Sequence, residues 1–254
     1  MANLKAYGLK LPLIKRGADV PELILESLKK EGLKLDDDDV IVVTEKIVSK
    51  SEGRIIDLNT LIPSRKAKRI AKKTGKDPRL VELILQESKE IIKIGENFII
   101  TETKHGQICA NAGIDSSNIK EGKVKILPEN PDKTASEIRK IIREKIGKDT
   151  GVIISDSFGR PFRYGSIGAA IGASGINVLW DRRGEKDLYG KTLETTRVSV
   201  GDCLASLANL VSGDADEKTP VVLIKGGNFR GEGKASDLLR EKEKDIFRPW
   251  GESL

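Results

Sequence analysis

The chain has 254 residues, of which 33% are charged and 38% hydrophobic, with a formal net charge of +6. This length suits one large domain or two small ones, and it permits a buried core without disulfides or a structural metal. The modest charge and the 4% of aromatic residues disfavour a nucleic-acid-binding arm, which would be strongly basic or would interleave basic and aromatic residues. No apolar run has the length of a signal-peptide core or a membrane span, so we expect a cytoplasmic protein without a membrane partner.

The few cysteine and histidine residues limit the chemistry. Cys109 and Cys203 lie far apart and match no metal-ligand spacing, so we expect two reduced thiols in or near the core. His105 is the single histidine, which excludes a histidine-rich metal site, and no nucleophile-elbow sequence accompanies it. A catalytic role for His105 is therefore disfavoured.

In the first half of the chain, apolar spacing, caps and turn residues predict a mixture of helices and strands. Asp77-Pro78 is an N-cap followed by proline at the first helical position, and Gly75 closes the helix before it. The acidic run 36–39 is predicted to be a solvated turn, because four adjacent carboxylates repel each other. The predicted elements are a strand end or tight turn at 9–14, a helix at 20–31, a buried strand at 40–44, a basic helix at 64–74, a helix after 77, and strands at 98–103, 107–110 and 124–127.

In the second half, a helix capped by Asp132 or Thr134 is predicted to turn Ile138, Ile141, Ile142 and Ile146 inward. The remaining predicted elements are a strand at 151–155, an amphipathic helix at 194–211, a strand at 221–224 and a charged terminal helix at 235–247.

Strands and helices follow each other without strict alternation, which favours an α+β fold over a doubly wound parallel sheet. No internal repeat, low-complexity tract or linker interrupts the sequence. We expect a single unit over 1–254, in which the segment 64–104, or a longer one, forms a subdomain inserted in the chain.

Residues 151–175 are the most informative stretch. A short apolar strand is predicted to end at Asp156, and Arg160, Arg163 and five glycines follow. Gly-rich backbone can approach phosphate oxygens closely, and guanidinium groups bind phosphate or carboxylate through paired hydrogen bonds. The alternative is a long surface loop in which the glycines make turns and the arginines provide solubility.

Three acids lie in glycine-flanked loops: Asp115 in NAGID, Asp156 after the predicted strand, and Asp214 in SGDADE. Oxygen ligands from separate loops suit Mg²⁺ or Mn²⁺, although each acid alone is more often a cap or a turn residue. Lys46 and Lys50 lie four positions apart, so in a helix both would face one side and could hold phosphates. The alternative is that both are solvated helix charges.

The segment GEKDLYGKT (184–192) is not a phosphate-binding P-loop. Glu185 stands where the first glycine of that motif belongs, and no apolar strand precedes it. The five glycines of 159–175 also lack the dinucleotide-binding pattern.

Seven motifs in a compatible order resemble one family from end to end, the coenzyme F420-0:γ-glutamyl ligases. They are LPLI (11–14), VVTEKIVSKSEGR (42–54), NAGIDSSN (111–118), SDSFGRPFR (155–163), AIGASG (170–175), KDLYG (186–190) and ANLVSGDADEKTP (208–220). Seven ordered motifs are far more specific than any one of them.

The resemblance implies an α+β fold of two intertwined α/β subdomains with mixed and antiparallel sheets, assembled as a homodimer. It implies GTP as a substrate, two Mg²⁺ or Mn²⁺ ions, and K⁺ as a further activator. The guanine nucleotide contacts implied by the motifs are Leu11, Pro12, Leu13, Ile14, Glu45, Lys46, Lys50, Asn118, Ser212, Gly213, Asp214, Ala215, Asp216, Glu217, Lys218 and Thr219. The implied metal ligands are Asp115, Asp156, Ser157 and Asp214, and the residues expected to act in catalysis are Asp156, Lys50 and Arg160.

Some positions depart from the family pattern. Ser157 replaces a threonine and keeps the hydroxyl, Asp214 replaces a glutamate, and Phe158 stands where some members have asparagine. The loop 212–219 is more charged than the Gly-rich versions, but none of these changes removes a ligating oxygen.

The expected reaction is the addition of L-glutamate to F420-0 through an acyl phosphate made with GTP. The alternatives are a related metal- and nucleotide-dependent amide ligase with a different acceptor, a nucleic-acid-binding protein that uses the basic helix 64–74, and a metal-binding scaffold without activity. Sparse aromatic residues and modest charge argue against the nucleic-acid-binding alternative.

Overall fold

The computed structural model describes residues 3–213 and 215–248 of the chain. Its helices are α1 (Val20–Lys30), α2 (Glu45–Ser51), α3 (Arg65–Thr74), α4 (Pro78–Gln86), α5 (Pro131–Ile146) and α6 (Val200–Ser212). Its strands are β1 (Lys5–Leu9), β2 (Val40–Thr44), β3 (Ile55–Asp57), β4 (Ser88–Ile94), β5 (Ile99–Thr103), β6 (Ile108–Ala110), β7 (Lys123–Lys125), β8 (Gly151–Arg160), β9 (Arg163–Ser174), β10 (Leu179–Asp181), β11 (Arg197–Ser199) and β12 (Val221–Lys225).

A five-stranded sheet with the order β1-β12-β2-β8-β9 forms the centre of the structure. β2 and β8 run parallel, and the other neighbouring strands run antiparallel. The three middle strands are continuous apolar runs, VIVV, VII and VVLI, as expected for strands covered on both faces.

Helices cover both faces of this sheet, because successive side chains of a strand point to opposite sides. Ile41 and Val43 pack on one side in a cluster that includes residues of α1, α2 and α5. Val40 and Val42 pack on the other side with residues of α6. The mixed sheet with helices on both faces confirms the predicted α+β fold.

A second, smaller group of elements lies between Ile55 and Lys125. It contains the pair β3–β7, the antiparallel sheet β4-β5-β6, and the helices α3 and α4. Two small apolar clusters hold it together, one around Ile70 and Ile84 and one around Val124. The predicted inserted segment 64–104 lies inside this group, and its status as a subdomain stays a prediction.

The Gly-rich stretch after Asp156 is a long β-hairpin, so the prediction that the strand ends at Asp156 and opens into a loop is wrong. β8 continues to Arg160 and β9 returns along it, with Asp156 paired to Ala169. The glycines of β9 allow helices to approach its backbone. A Cβ atom on Gly168 would lie 2.2 Å from the Ala205 carbonyl oxygen of α6.

Several helix boundaries differ from the prediction. The N-cap of α5 is Asn130, whose side chain accepts a hydrogen bond from the Lys133 N–H, and Ile146 is 41% exposed rather than inward. α6 begins at Val200 rather than at 194, because residues 197–199 form β11 and pair with β10.

The predicted terminal helix 235–247 is also wrong. The segment contains two short 3₁₀ turns, Ala235–Leu238 and Lys242–Lys244. Lys242 and Arg248 instead form ion pairs with Glu90 and Glu102 of the small sheet. These tertiary contacts override the helical propensity of the segment.

None of the helices that the structure describes is both long and apolar enough to cross a membrane. The cytoplasmic location stays a prediction.

Gly168→Ala is expected to lower the free energy of unfolding by about 1–3 kcal/mol, because the new methyl group would overlap the backbone of α6. Gly159→Ala is the matched control in the same hairpin, since a Cβ atom there meets nothing within 4 Å. Urea unfolding of the two variants measures the difference. Equal stability of the two would show that β9 and α6 do not pack as described.

Candidate active site

The parallel pair β2 and β8 brings two acidic residues side by side. Thr44 pairs with Ser155 at the ends of the matched register, so Glu45 and Asp156 follow at the same edge of the sheet. Ligands of α/β sheets bind outside the carboxyl ends of parallel strands. This edge is therefore the expected place for a site.

Two further segments meet at the same edge, because β12 runs antiparallel to both β1 and β2. Leu9, the last residue of β1, pairs with Val221, the first residue of β12. The loop after β1 and the loop before β12 therefore lie together, and the Leu11 N–H donates to the Lys218 carbonyl oxygen at 3.3 Å.

A cavity of about 550 Å³ opens between these segments and residues 109–118 of the smaller group. The volume falls within the range of small-molecule sites. The predicted site residues that line it are Leu11, Pro12, Leu13, Ile14, Glu45, Lys46, Lys50, Asp115, Asn118, Asp156, Ser157, Ser212, Gly213, Ala215, Asp216, Glu217, Lys218 and Thr219.

Two predicted residues are not part of this lining as described. Asp214 lies outside the described residues, directly after Gly213, which does line the cavity. Arg160 lies at the end of β8, where its guanidinium group donates to the Tyr164 carbonyl oxygen at 3.3 Å. The structure therefore does not bring Arg160 to the other predicted catalytic residues.

The NAG segment, residues 111–113, makes an unusual turn at the cavity wall. Asn111, Ala112 and Gly113 all have left-handed backbone angles, with φ of 53°, 56° and 69°. Asparagine and glycine tolerate this conformation, whereas an alanine there costs about 1–2 kcal/mol. The turn directs the chain so that Asp115 reaches the cavity.

Asp115 lies in a network of hydrogen bonds and charge. Its Oδ1 accepts from the Ser117 N–H at 2.9 Å, its Oδ2 accepts from the Ser117 hydroxyl, and Lys46 Nζ lies 3.1 Å from Oδ2. Burial acts to raise the pKa of Asp115, but the hydrogen bonds from Ser117 and the charge of Lys46 outweigh it and lower the pKa. Asp115 is therefore ionised at neutral pH.

Lys50 and Asn118 connect α2 to two loops. Lys50 Nζ donates to the Asn118 carbonyl oxygen, and Asn118 Nδ2 donates to the Ala215 carbonyl oxygen, each at 3.0 Å. Burial and, to a smaller extent, the charge of Lys46 lower the pKa of Lys50. Two lysine side chains thus reach the same cavity from one helix, as their spacing predicted.

The floor of the cavity contains an ion pair that the sequence prediction missed. Lys125 is 1% exposed and pairs with Glu45, which is 3% exposed. The second Glu45 oxygen accepts from the Ser49 hydroxyl at 3.1 Å. The side chain of Glu45 is therefore held by protein groups, although the residue lines the cavity. The only sequence signal was a lysine inside the apolar run of residues 124–127.

Burial is the largest influence on the pKa values of the charged groups at this floor. Burial raises the pKa of Glu45 to about 7. The charge of Lys125 opposes this shift, and the charge of Asp156 adds to it. Burial also raises the pKa of Asp156, although the charge of Lys125 opposes the shift. Burial acts to lower the pKa of Lys125, but the charges of Glu45 and Asp156 outweigh it and raise the pKa. Burial therefore makes both carboxyl groups hold their protons more tightly, in spite of the neighbouring lysine.

The cavity lining includes oxygen atoms of the type that divalent cations bind. Asp115, Asp156 and Ser157 line one cavity, and no lysine or arginine of residues 3–213 and 215–248 forms an ion pair with Asp156. Hard oxygen ligands of this kind suit Mg²⁺ or Mn²⁺. In the same residues, no group of three or more His, Cys, Asp and Glu side chains is arranged to hold a metal ion.

A cavity lined by carboxylates and lysines at the ends of parallel strands is typical of a ligand-binding α+β protein. A family profile described as "F420-0:Gamma-glutamyl ligase" matches residues 8–226. The chain therefore belongs to the F420-0:gamma-glutamyl ligase family.

Three similar proteins carry the name "Coenzyme F420:L-glutamate ligase". The one from Methanocaldococcus jannaschii is 55% identical over 97% of this chain and 97% of its own. The one from Methanothermobacter thermautotrophicus is 51% identical over 94% of this chain and 96% of its own. The one from Archaeoglobus fulgidus is 42% identical over 94% of this chain and 93% of its own. The similarity thus extends over nearly the whole chain.

The two thiols are expected to differ in reactivity at pH 8. Burial, together with the charge of Asp156, raises the pKa of Cys109 to about 12, so this thiol stays neutral and unreactive. Cys203 is exposed on α6, which corrects the expectation of two thiols in or near the core. Mass spectrometry after iodoacetamide treatment of the native protein should find Cys203 modified first. Rapid labelling of Cys109 would contradict its burial at the cavity wall.

Proposed function

We propose that this chain is a GTP-dependent ligase that adds L-glutamate, through γ-linked amide bonds, to the deazaflavin coenzyme precursor F420-0. The names of relatives that are about half identical over nearly the whole chain support this activity. The observation that carries the proposal is the meeting of Asp115, Asp156, Lys46 and Lys50 in one cavity of about 550 Å³.

The proposed reaction proceeds in two steps. A carboxylate oxygen of the acceptor attacks the γ-phosphorus of GTP, the bond from that phosphorus to the bridging oxygen breaks, and GDP leaves. The nitrogen of glutamate then attacks the acyl carbon, the acyl–phosphate bond breaks, and the nitrogen loses a proton. Phosphate is a good leaving group, which a free carboxylate oxygen is not.

In this reaction the chain mainly supplies positioning and charge, as is usual in phosphoryl transfer. Lys46 and Lys50 offset the negative charge of the phosphate groups, and the loops at 11–14 and 212–219 enclose the nucleotide. Asp115, Asp156 and Ser157, with Asp214, would hold Mg²⁺ or Mn²⁺, and the ions would neutralise phosphate charge as Lewis acids. Potassium as an activator is part of the same proposal.

The proposed assembly is a homodimer. Phe162 and Tyr164 at the tip of the β8–β9 hairpin are 92% and 103% exposed, and Leu188 and Tyr189 are 100% and 96% exposed. Large exposed apolar side chains are a feature of many interaction surfaces. These residues support an interface between two copies of the chain.

Asp156→Asn is expected to lower glutamate-dependent GTP turnover by about 100-fold or more, because it removes a ligand charge at nearly constant volume. Phosphate release measured with F420-0 and glutamate tests this.

Asp38→Asn is the matched control, since Asp38 lies in the turn before β2, at the opposite end of that strand. Circular dichroism should show both variants folded. Turnover of folded Asp156→Asn at the wild-type rate would remove Asp156 from the site.

Lys50→Ala is expected to raise the KM for GTP about 10-fold, a loss of about 1.4 kcal/mol of binding, because a cation at the phosphates is lost. Initial rates at varied GTP concentration measure it. Lys72→Ala on the exposed face of α3 should leave the KM unchanged. An unchanged KM in Lys50→Ala would exclude a phosphate contact by Lys50.

The identity of the acceptor is tested directly by mass spectrometry of the product. With F420-0, glutamate and GTP, the expected product is F420-0 heavier by whole glutamate residues. GTP turnover that requires another acceptor, without a glutamylated F420-0, would favour a related amide ligase instead.

A further inference from the structure

We propose that Lys125 is a positioning residue of the candidate site: it fixes the segments that carry Asp115 and Lys46 in the arrangement that receives a divalent cation and phosphate groups. This inference rests on the proposed function for the identity of those ligands. The role of Lys125 itself follows from its contacts.

The buried side chain of Lys125 connects two segments that line the cavity, the turn at 111–113 and the start of α2. Its Nζ donates to the Gly113 carbonyl oxygen at 3.1 Å and pairs with the Glu45 carboxylate at the start of α2. Gly113 ends the left-handed turn that precedes Asp115. One ammonium group therefore anchors both that turn and the first residue of α2.

The backbone of Lys125 also holds Asp115 directly. The Lys125 N–H donates to the Asp115 carbonyl oxygen at 2.9 Å, and the Asp115 N–H donates to the Lys125 carbonyl oxygen at 3.2 Å. Lys46, which follows Glu45 in α2, pairs with the Asp115 carboxylate at 3.1 Å. The contacts close a ring from Lys125 through Glu45 and Lys46 to Asp115 and back.

Packing alone does not explain a lysine at this position. The neighbouring residues Val124 and Ile126 are buried and apolar, and Lys125 is the largest side chain among those that are almost completely buried. A buried ion pair is often no more stable than apolar side chains of the same size. The pair is better explained by a role in orienting the segments that carry Asp115 and Lys46. Hydrogen-bond partners of metal ligands orient those ligands in the same way.

The charge of Lys125 also suits the acidic floor. Glu45 pairs with the ammonium group, and the charges of Asp156 and Asp115 also act on it. Asp156 forms no ion pair with a lysine or arginine in the described parts of the chain. The positive charge of Lys125 reduces the repulsion among these carboxylates, so they can stay close together before a metal ion binds. Asp156 remains available for that ion, because the ammonium group is committed to Glu45 and Gly113.

The decisive variant is Glu45→Gln/Lys125→Met, which removes the pair without leaving one buried charge. Lys125→Met alone would leave Glu45 uncompensated and can fail to fold. Lys123→Met is the matched control, because Lys123 lies two residues earlier in β7 with its side chain exposed. Thermal unfolding shows whether each variant is folded. Electron paramagnetic resonance measures its affinity for Mn²⁺, and amide hydrogen exchange measures the protection of residues 111–117, each in comparison with the wild-type chain.

The expected result is a folded double variant whose Mn²⁺ affinity is about 10- to 100-fold lower and whose amides at 111–117 exchange faster. Lys123→Met should match wild type in both measurements. A folded double variant with wild-type Mn²⁺ affinity and wild-type exchange would overturn the proposal.

Failure of the proposed function gives a different pattern. A wild-type chain that binds no Mn²⁺ and turns over no GTP would refute that function, and the exchange at 111–117 would then decide the role of Lys125. A double variant that does not fold would show that the pair serves the stability of the whole chain, which also overturns a role confined to the site.

Discussion

The parallel register of β2 and β8 is the constraint on which the site depends. Because Thr44 lies opposite Ser155, Glu45 and Asp156 leave the sheet as neighbours although they are more than a hundred positions apart in the chain. The antiparallel neighbours β1 and β12 bring residues 11–14 and 215–219 to the same edge. The sheet therefore gathers groups that no local sequence pattern could place together.

Burial and charge act against each other at this edge. Carboxylates partly withdrawn from water tend to take up protons, as the raised pKa of Asp156 indicates, and a ligand cation would relieve that cost. Asp115 is the exception, since Ser117 and Lys46 keep it ionised. The site thus combines one carboxylate stabilised by the protein with another that lacks a cationic partner in the described residues.

Local signals in the sequence predicted much of the fold. The apolar run of β2, the Asp77 cap and the Gly75 terminus of α3 were all found where their chemistry indicated. Tertiary contacts decided the rest. Gly168 was interpreted as a loop residue because nothing in the sequence shows that α6 crosses β9 at that point. For the site, the motifs indicated most lining residues, but Lys125 was missed because its partner Glu45 is 80 positions away.

The continuation of β8 beyond Asp156 gives the cavity one wall made of paired strands, whereas other walls are made of loops. Asp156 lies within a strand that is hydrogen-bonded to β9 past that residue, so its backbone has little freedom to move. On the other side, the loop that follows Asp115 meets residue 215 through a hydrogen bond from the Asn118 side chain to the Ala215 carbonyl oxygen. Any change in the shape of the cavity is therefore expected in the loops around Asn118 and residues 215–219, while the hairpin keeps the backbone of Asp156 in place.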